Sequence, residues 1–194
     1  LDEYLRQYYA MVTQLDENIG RMLDTLDELG IADNTVVIFT SDHGDMQGSQ
    51  GLTNKGLPYE ESSRIPLIVR VPNGVSGKEV EDLVSGVDYF ATCLDIAGCP
   101  AEPSAEGDSF APLATDDSAQ TMNRAIYSEM QPWCMVREGA YKLIADKDPW
   151  QATHLFNLVD DPYELTNLLD ADATASVQQD LHSKLEAWYA RVSA

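Results

Sequence analysis

Apolar residues recur at Leu5, Tyr8, Tyr9, Val12, Leu15, Ile19, Met22, Leu23, Leu26 and Leu29. Steps of three and four put them on one side of a helix, so the spacing predicts a long amphipathic helix over residues 4–29. Gly30 stands where a helix closes on a left-handed residue. The period then changes. "TVVIFT" (35–40) is an unbroken β-branched run, as expected of a strand covered on both faces in a parallel sheet, and "PLIVRV" (66–71) is a second one. Helix, covered strand, loop, covered strand is an α/β order.

Further along, "DYFATCLDIAG" (88–98) predicts a short helix closed by glycine. Residues 99–121 are rich in Pro, Ala, Ser, Asp and Gly and read as an irregular crossover. Beyond them lie four strand candidates: "AIYSE" (125–129), "CMVRE" (134–138), "YKLIAD" (141–146) and "HLFNL" (154–158). "EGAY" (138–141) reads as a hairpin turn and "DDPYE" (160–164) as a turn. A last helix over about 176–192 puts Val177, Leu181, Leu185, Trp188 and Val192 on one face. The pattern predicts two parts: residues 1–115 as part of an α/β core, and 116–194 as a small antiparallel α+β subdomain with a terminal helix.

Composition narrows the partners. With 44 % hydrophobic residues, 194 positions suffice for a sizeable core. The formal charge of −21 disfavours nucleic acid and anionic membrane surfaces. An anionic substrate would need local cations working against that field. Cys93, Cys99 and Cys134 form no C-x-x-C pair, so neither a disulfide framework nor a zinc site is expected, and all three read as buried thiols. No apolar run approaches the ~18 residues of a membrane span. The chain opens on a helical pattern with no initiator Met or signal-peptide core. That start reads as the continuation of something upstream and leaves the compartment open.

The chemistry concentrates after the first strand run, at "SDHGD" (41–45). In open α/β sheets, ligands bind beyond the carboxyl ends of strands. Asp42 and His43 could ligate a divalent cation there, with Gly44 letting the backbone turn. An ordinary Asx turn accounts for the same residues. Two neighbouring ligands would not complete the shell of a hard cation. Residues 45–64 form a long polar loop, and Lys55 within it reads either as a solvated lysine or as a point charge for an anionic oxygen. Arg64 is placed to pair with Glu60 or Glu61. Lys78 lies in a turn and receives no role.

Several stretches, in order, resemble one family. "YYAMVTQLDENIGRMLDTLDELGIADNTVVIFTSDHGD" is similar to the long helix and metal-bearing strand of type I sulfatases. "GLTNKGLPYEESSRIPLIVRVP" resembles their lysine loop and following strand, and "SGVDYFATCLDIAGCP" with "EGDSFAPL" a later helix and loop. "VREGAYKLI" and "LFNLVDDPYELTNLL" resemble the C-terminal subdomain.

The resemblance implies the C-terminal part of an alkaline-phosphatase-like sulfatase core, plus the small antiparallel α+β subdomain. It implies a sulfuric ester hydrolase acting on a sulfate-ester small molecule or glycan. Asp42 and His43 would bind Ca²⁺ (or Mg²⁺ or Mn²⁺), and Lys55 would contact the sulfate group or its leaving oxygen. The family's formylglycine nucleophile arises in a C/S-x-P/A-x-R signature, which none of the three cysteines carries. Nucleophile and remaining metal acids are therefore expected from a missing N-terminal half, and the 194 residues are not expected to turn over alone. Asp-His pairs also occur in phosphonate monoester and phosphodiester hydrolases of the superfamily, a second implied reading. A non-catalytic interaction module is a third. The resemblance fits a soluble intact protein, with export or a periplasmic location as one option.

Overall fold

The computed structural model describes residues 2–193. Its element order is α1 (Asp2–Glu28), β1 (Val37–Thr40), α2 (Glu60–Ser63), β2 (Leu67–Arg70), α3 (Asp88–Ile96), α4 (Ala111–Thr115), β3 (Ala125–Glu129), β4 (Trp133–Glu138), β5 (Tyr141–Lys147), β6 (Trp150–Asn157) and α5 (Ala175–Val192). The predicted long helix ends as its glycine requires: Gly30 has φ 67°, a left-handed conformation that costs glycine nothing.

The first two strands depart from expectation. β1 and β2 pair antiparallel, Val37 opposite Arg70 and Thr40 opposite Leu67, and form a two-stranded sheet. Every residue of β1 is half-buried rather than covered on both faces. A β-branched apolar run encodes the wish to be covered, not the direction of its neighbour. Among the described residues β2 is the only strand beside β1.

The second sheet has the order β3-β4-β5-β6, antiparallel throughout. Side chains alternate along a strand, and both faces of this sheet are used. Cys134, Val136, Leu143, Ala145 and Leu155 form one face and pack with Leu181 and Leu185 of α5. Val177 and Trp188 flank them, and Trp188 stacks on Tyr127 with ring centroids 5.0 Å apart. Trp133, Met135, Ile144 and Phe156 form the other face, against Tyr59 and Leu158. The sheet is thus covered by its own terminal helix on one side and by part of the 45–64 loop on the other. The β4–β5 hairpin turns through Gly139, at φ 54°.

In the chain between β2 and β3, α3 holds a polar centre. Asp88 is fully buried. It accepts the Ser85 and Asp108 backbone N–H groups at 2.7 and 3.0 Å and pairs with Arg124. Residues 99–121 are not wholly irregular, because α4 forms within them.

Two further expectations are corrected. Only Cys134 is buried; Cys93 and Cys99 are exposed. The covered side of α3 carries Asp88 and Thr92, one turn apart, and Cys93 lies off it. Glu60 bonds Arg137 and Lys142 rather than Arg64, which is exposed.

Candidate functional site

Asp42 and His43 lie directly beyond β1, on the turn that leaves the strand. Ser41 shapes that turn, its hydroxyl donating to the His43 carbonyl at 2.7 Å. The Asp42 carboxylate accepts the His43 N–H at Oδ1, 3.0 Å away. Its side chain is 84 % exposed. Partial desolvation pushes the Asp42 pKa up. Backbone N–H bonds from Asp42 and His43, with His43 and the Ser41 hydroxyl nearby, outweigh it and hold the carboxyl below its ordinary range.

The imidazole orientation follows from one contact. His43 Nδ1 is 2.8 Å from the Gly44 carbonyl. A carbonyl only accepts, so Nδ1 donates to it, and in the neutral ring Nε2 then keeps the lone pair. That Nε2 lies 3.4 Å from Asp42 Oδ2. In the neutral form a lone-pair nitrogen and a carboxylate oxygen stand side by side. No group of three His, Cys, Asp or Glu side chains able to hold a metal occurs among the described residues. The pair fits part of the shell of a hard cation, which takes six or more oxygens.

Lys55 reaches the same neighbourhood through backbone ties. The Met46 N–H donates to the Asn54 carbonyl at 2.8 Å, and the Gly44 N–H to the Ser62 carbonyl at 2.9 Å. A side chain at Gly44 is excluded, because its Cβ would stand 2.0 Å from the Glu61 carbonyl oxygen. On the other side of Lys55, the Gly56 and Leu57 N–H groups donate to the buried Ser62 hydroxyl at 3.1 and 3.3 Å. Lys55 itself is exposed. The loop is therefore tied to the segment that carries Asp42 and His43, with Lys55 and Asp42 both open to solvent.

The loop also rests on the second sheet. Trp133 Nε1 donates to the Gly56 carbonyl at 2.9 Å. Lys142 donates to the Pro58 carbonyl at 2.8 Å and to Glu60 Oε1 at 3.0 Å. Arg137 bonds Glu60 Oε2 at 2.6 Å. Glu164 faces Lys142 at 2.5 Å and accepts the Glu60 N–H at 2.7 Å. Sequence reading did not find this cluster. Its one local signal is Lys142 inside the apolar alternation of "YKLIAD", at an inward position of a strand.

The family model for N-sulphoglucosamine sulphohydrolase, C-terminal, matches residues 48–191. The chain belongs to the sulfatase family. A second model, type I phosphodiesterase / nucleotide pyrophosphatase, matches residues 5–65 and places the family within the wider superfamily. The sulfatase chain is 31 % identical over 199 residues to N-acetylglucosamine-6-O-sulfatase of Bacteroides thetaiotaomicron, covering 95 % of this chain and 35 % of that protein. It is 36 % identical over 172 residues to choline-sulfatase of Rhizobium meliloti (85 % and 33 % covered). With arylsulfatase K of Rattus norvegicus the identity is 34 % over 204 residues (96 % and 36 % covered). It thus spans about a third of the length of the curated relatives it matches.

Among solved structures, one in complex with its substrate D-glucosamine-2-N,6-O-disulfate superposes with TM-score 0.77 at 29 % identity, covering 92 % of this chain and 38 % of that one. The phosphonate monoester hydrolase of Agrobacterium radiobacter superposes with TM-score 0.81 at 25 % identity, covering 95 % and 40 %. The sulfatase fold is therefore the one anticipated from the sequence, apart from the antiparallel β1–β2 pair and the short helices α2 and α4. No described helix is long and apolar enough to cross a membrane.

Proposed function

We propose that this chain supplies part of the metal and sulfate site of a sulfuric ester hydrolase. Asp42 and His43 hold a divalent cation, Ca²⁺ or else Mg²⁺ or Mn²⁺, and Lys55 contacts the sulfuryl group or its leaving oxygen. The observation that carries the reading is the His43 imidazole, held at Nδ1 by the Gly44 carbonyl with its Nε2 3.4 Å from Asp42 Oδ2. When bound, the cation supplies positive charge against the sulfate oxygens. Asp42 brings a charge and His43 a neutral nitrogen. Lys55 brings the exposed ammonium that a sulfate ester requires on a chain of formal charge −21.

None of the three cysteines stands in a formylglycine signature, so the covalent nucleophile is assigned to the intact enzyme rather than to these 194 residues. The substrate is a sulfate ester of a small molecule or glycan. In the domain division that accompanies this reading, residues 1–115 complete the catalytic core and 116–194 form the C-terminal subdomain.

A second reading is favoured by the likeness to the Agrobacterium phosphonate monoester hydrolase: hydrolysis of a phosphonate monoester or phosphodiester at the same site. The test is kcat/KM of the intact enzyme on an aryl sulfate and on matched phosphorus esters. A higher value for sulfate supports the proposal, and the reverse order transfers it to the second reading. Asp42→Ala should strip the bound divalent cation, read by elemental analysis. Retained metal overturns the ligand assignment. A metal-free wild-type protein with no hydrolysis points to a non-catalytic interaction module.

A further inference from the structure

Lys142 is fully buried, an environment lysine occupies only when its charge is matched. Its ammonium donates to the Pro58 carbonyl at 2.8 Å and to Glu60 Oε1 at 3.0 Å, and pairs as an ion with Glu164 Oε1 at 2.5 Å. Two of these belong to the loop that carries Lys55. Arg137, opposite Lys142 in the β4–β5 register, takes the other Glu60 oxygen, so two cations face two carboxylates. Glu164 reaches its place at φ 55°, a conformation unfavourable for a side-chain-bearing residue, and its Oε2 then receives the Glu60 N–H.

Only Gly56 and Leu57 separate Lys55 from Pro58. Both of their N–H groups are held by Ser62, and the Gly56 carbonyl is held by Trp133. We propose that Lys142 is a positioning residue for Lys55: with Glu60 and Glu164 it latches the lysine loop onto the second sheet and so fixes where the Lys55 ammonium is presented. A cluster serving stability alone would have little reason to be ionic, since apolar side chains of the same volume fill such a site as well or better. Fixed geometry is what two opposed charge pairs add, and a small misplacement of a catalytic group costs orders of magnitude in rate. The role given to Lys55 rests on the sulfatase reading; the latch itself does not.

The test is a double-mutant cycle in the intact enzyme, measuring kcat/KM on an aryl sulfate, with amide hydrogen exchange on the same proteins. Lys142→Met should lower kcat/KM about a hundredfold when Lys55 is present and hardly at all in a Lys55→Ala background. An equal factor in both backgrounds means a merely structural role and overturns the proposal. Exchange at the Gly56, Leu57 and Glu60 amides should accelerate in Lys142→Met while β4 and β5 stay protected. Unchanged loop exchange overturns the latch. If Lys142→Met does not fold, Glu164→Gln, which keeps the shape and removes the charge, should give the same two patterns. If Lys55→Ala leaves sulfate hydrolysis intact, the sulfuryl-contact reading fails, and exchange still decides whether Lys142 holds the loop.

Discussion

Gly44 donates its backbone N–H to the Ser62 carbonyl at 2.9 Å, with no room for a methyl group between the two segments. This one contact joins the turn bearing Asp42 and His43 to the far end of the loop bearing Lys55. Gly44→Ala would put a carbon 2.0 Å from the Glu61 carbonyl oxygen, a backbone atom that cannot swing aside. The expected outcome is a loss of about 1–3 kcal/mol in unfolding free energy, and a larger relative loss of divalent-cation affinity than of stability. Chemical denaturation and metal titration of the same variant check both.

Asp88 and Arg124 form a second dependence. Asp88→Ala leaves the Ser85 and Asp108 N–H groups and a largely buried guanidinium without their shared acceptor. The cost expected for breaking such a buried pair is about 3–5 kcal/mol. Asp88→Asn keeps an acceptor and should cost less. Urea midpoints of the two variants order them.

The three cysteines should separate by reactivity. Burial raises the Cys134 thiol pKa to about 11, so at mildly alkaline pH it holds little of the reactive thiolate. Cys93 and Cys99 are exposed. Thiol titration should show Cys134 reacting last, and only as fast as the protein unfolds. Mass spectrometry of partly alkylated protein assigns the sites.

His154 gives stability a pH dependence of known sign. Burial lowers its pKa in the fold, so near and below the ordinary histidine value the unfolded chain binds more protons than the folded one. Its contribution is present above the unfolded pKa and is lost as pH falls through the folded one. The ring stacks on Phe156, with centroids 5.6 Å apart. His154→Gln should therefore narrow the gap in unfolding free energy between neutral and acidic pH, read from denaturation curves at both.

Much of this molecule is legible along the chain. The apolar steps of α1 and α5, the glycines that close α1 and α3, and the alternation of β3 to β5 are local patterns, set within a few residues by backbone geometry. So is "SDHGD", whose position after a strand run marks Asp42 and His43. The role proposed for Lys55 rests on the ordered resemblance of neighbouring stretches and not on a local pattern. What the chain could not disclose is relational. A β-branched run carries no mark of its partner's direction, so β1 read as parallel and pairs antiparallel. Cys93 read as buried because helix periodicity does not say which side meets the rest of the molecule. Lys142 and Glu60 stand 82 residues apart, and no local rule links them. Only the folded chain brings their charges within 3.0 Å, because only there does the sheet remove both from water and leave each as the other's partner.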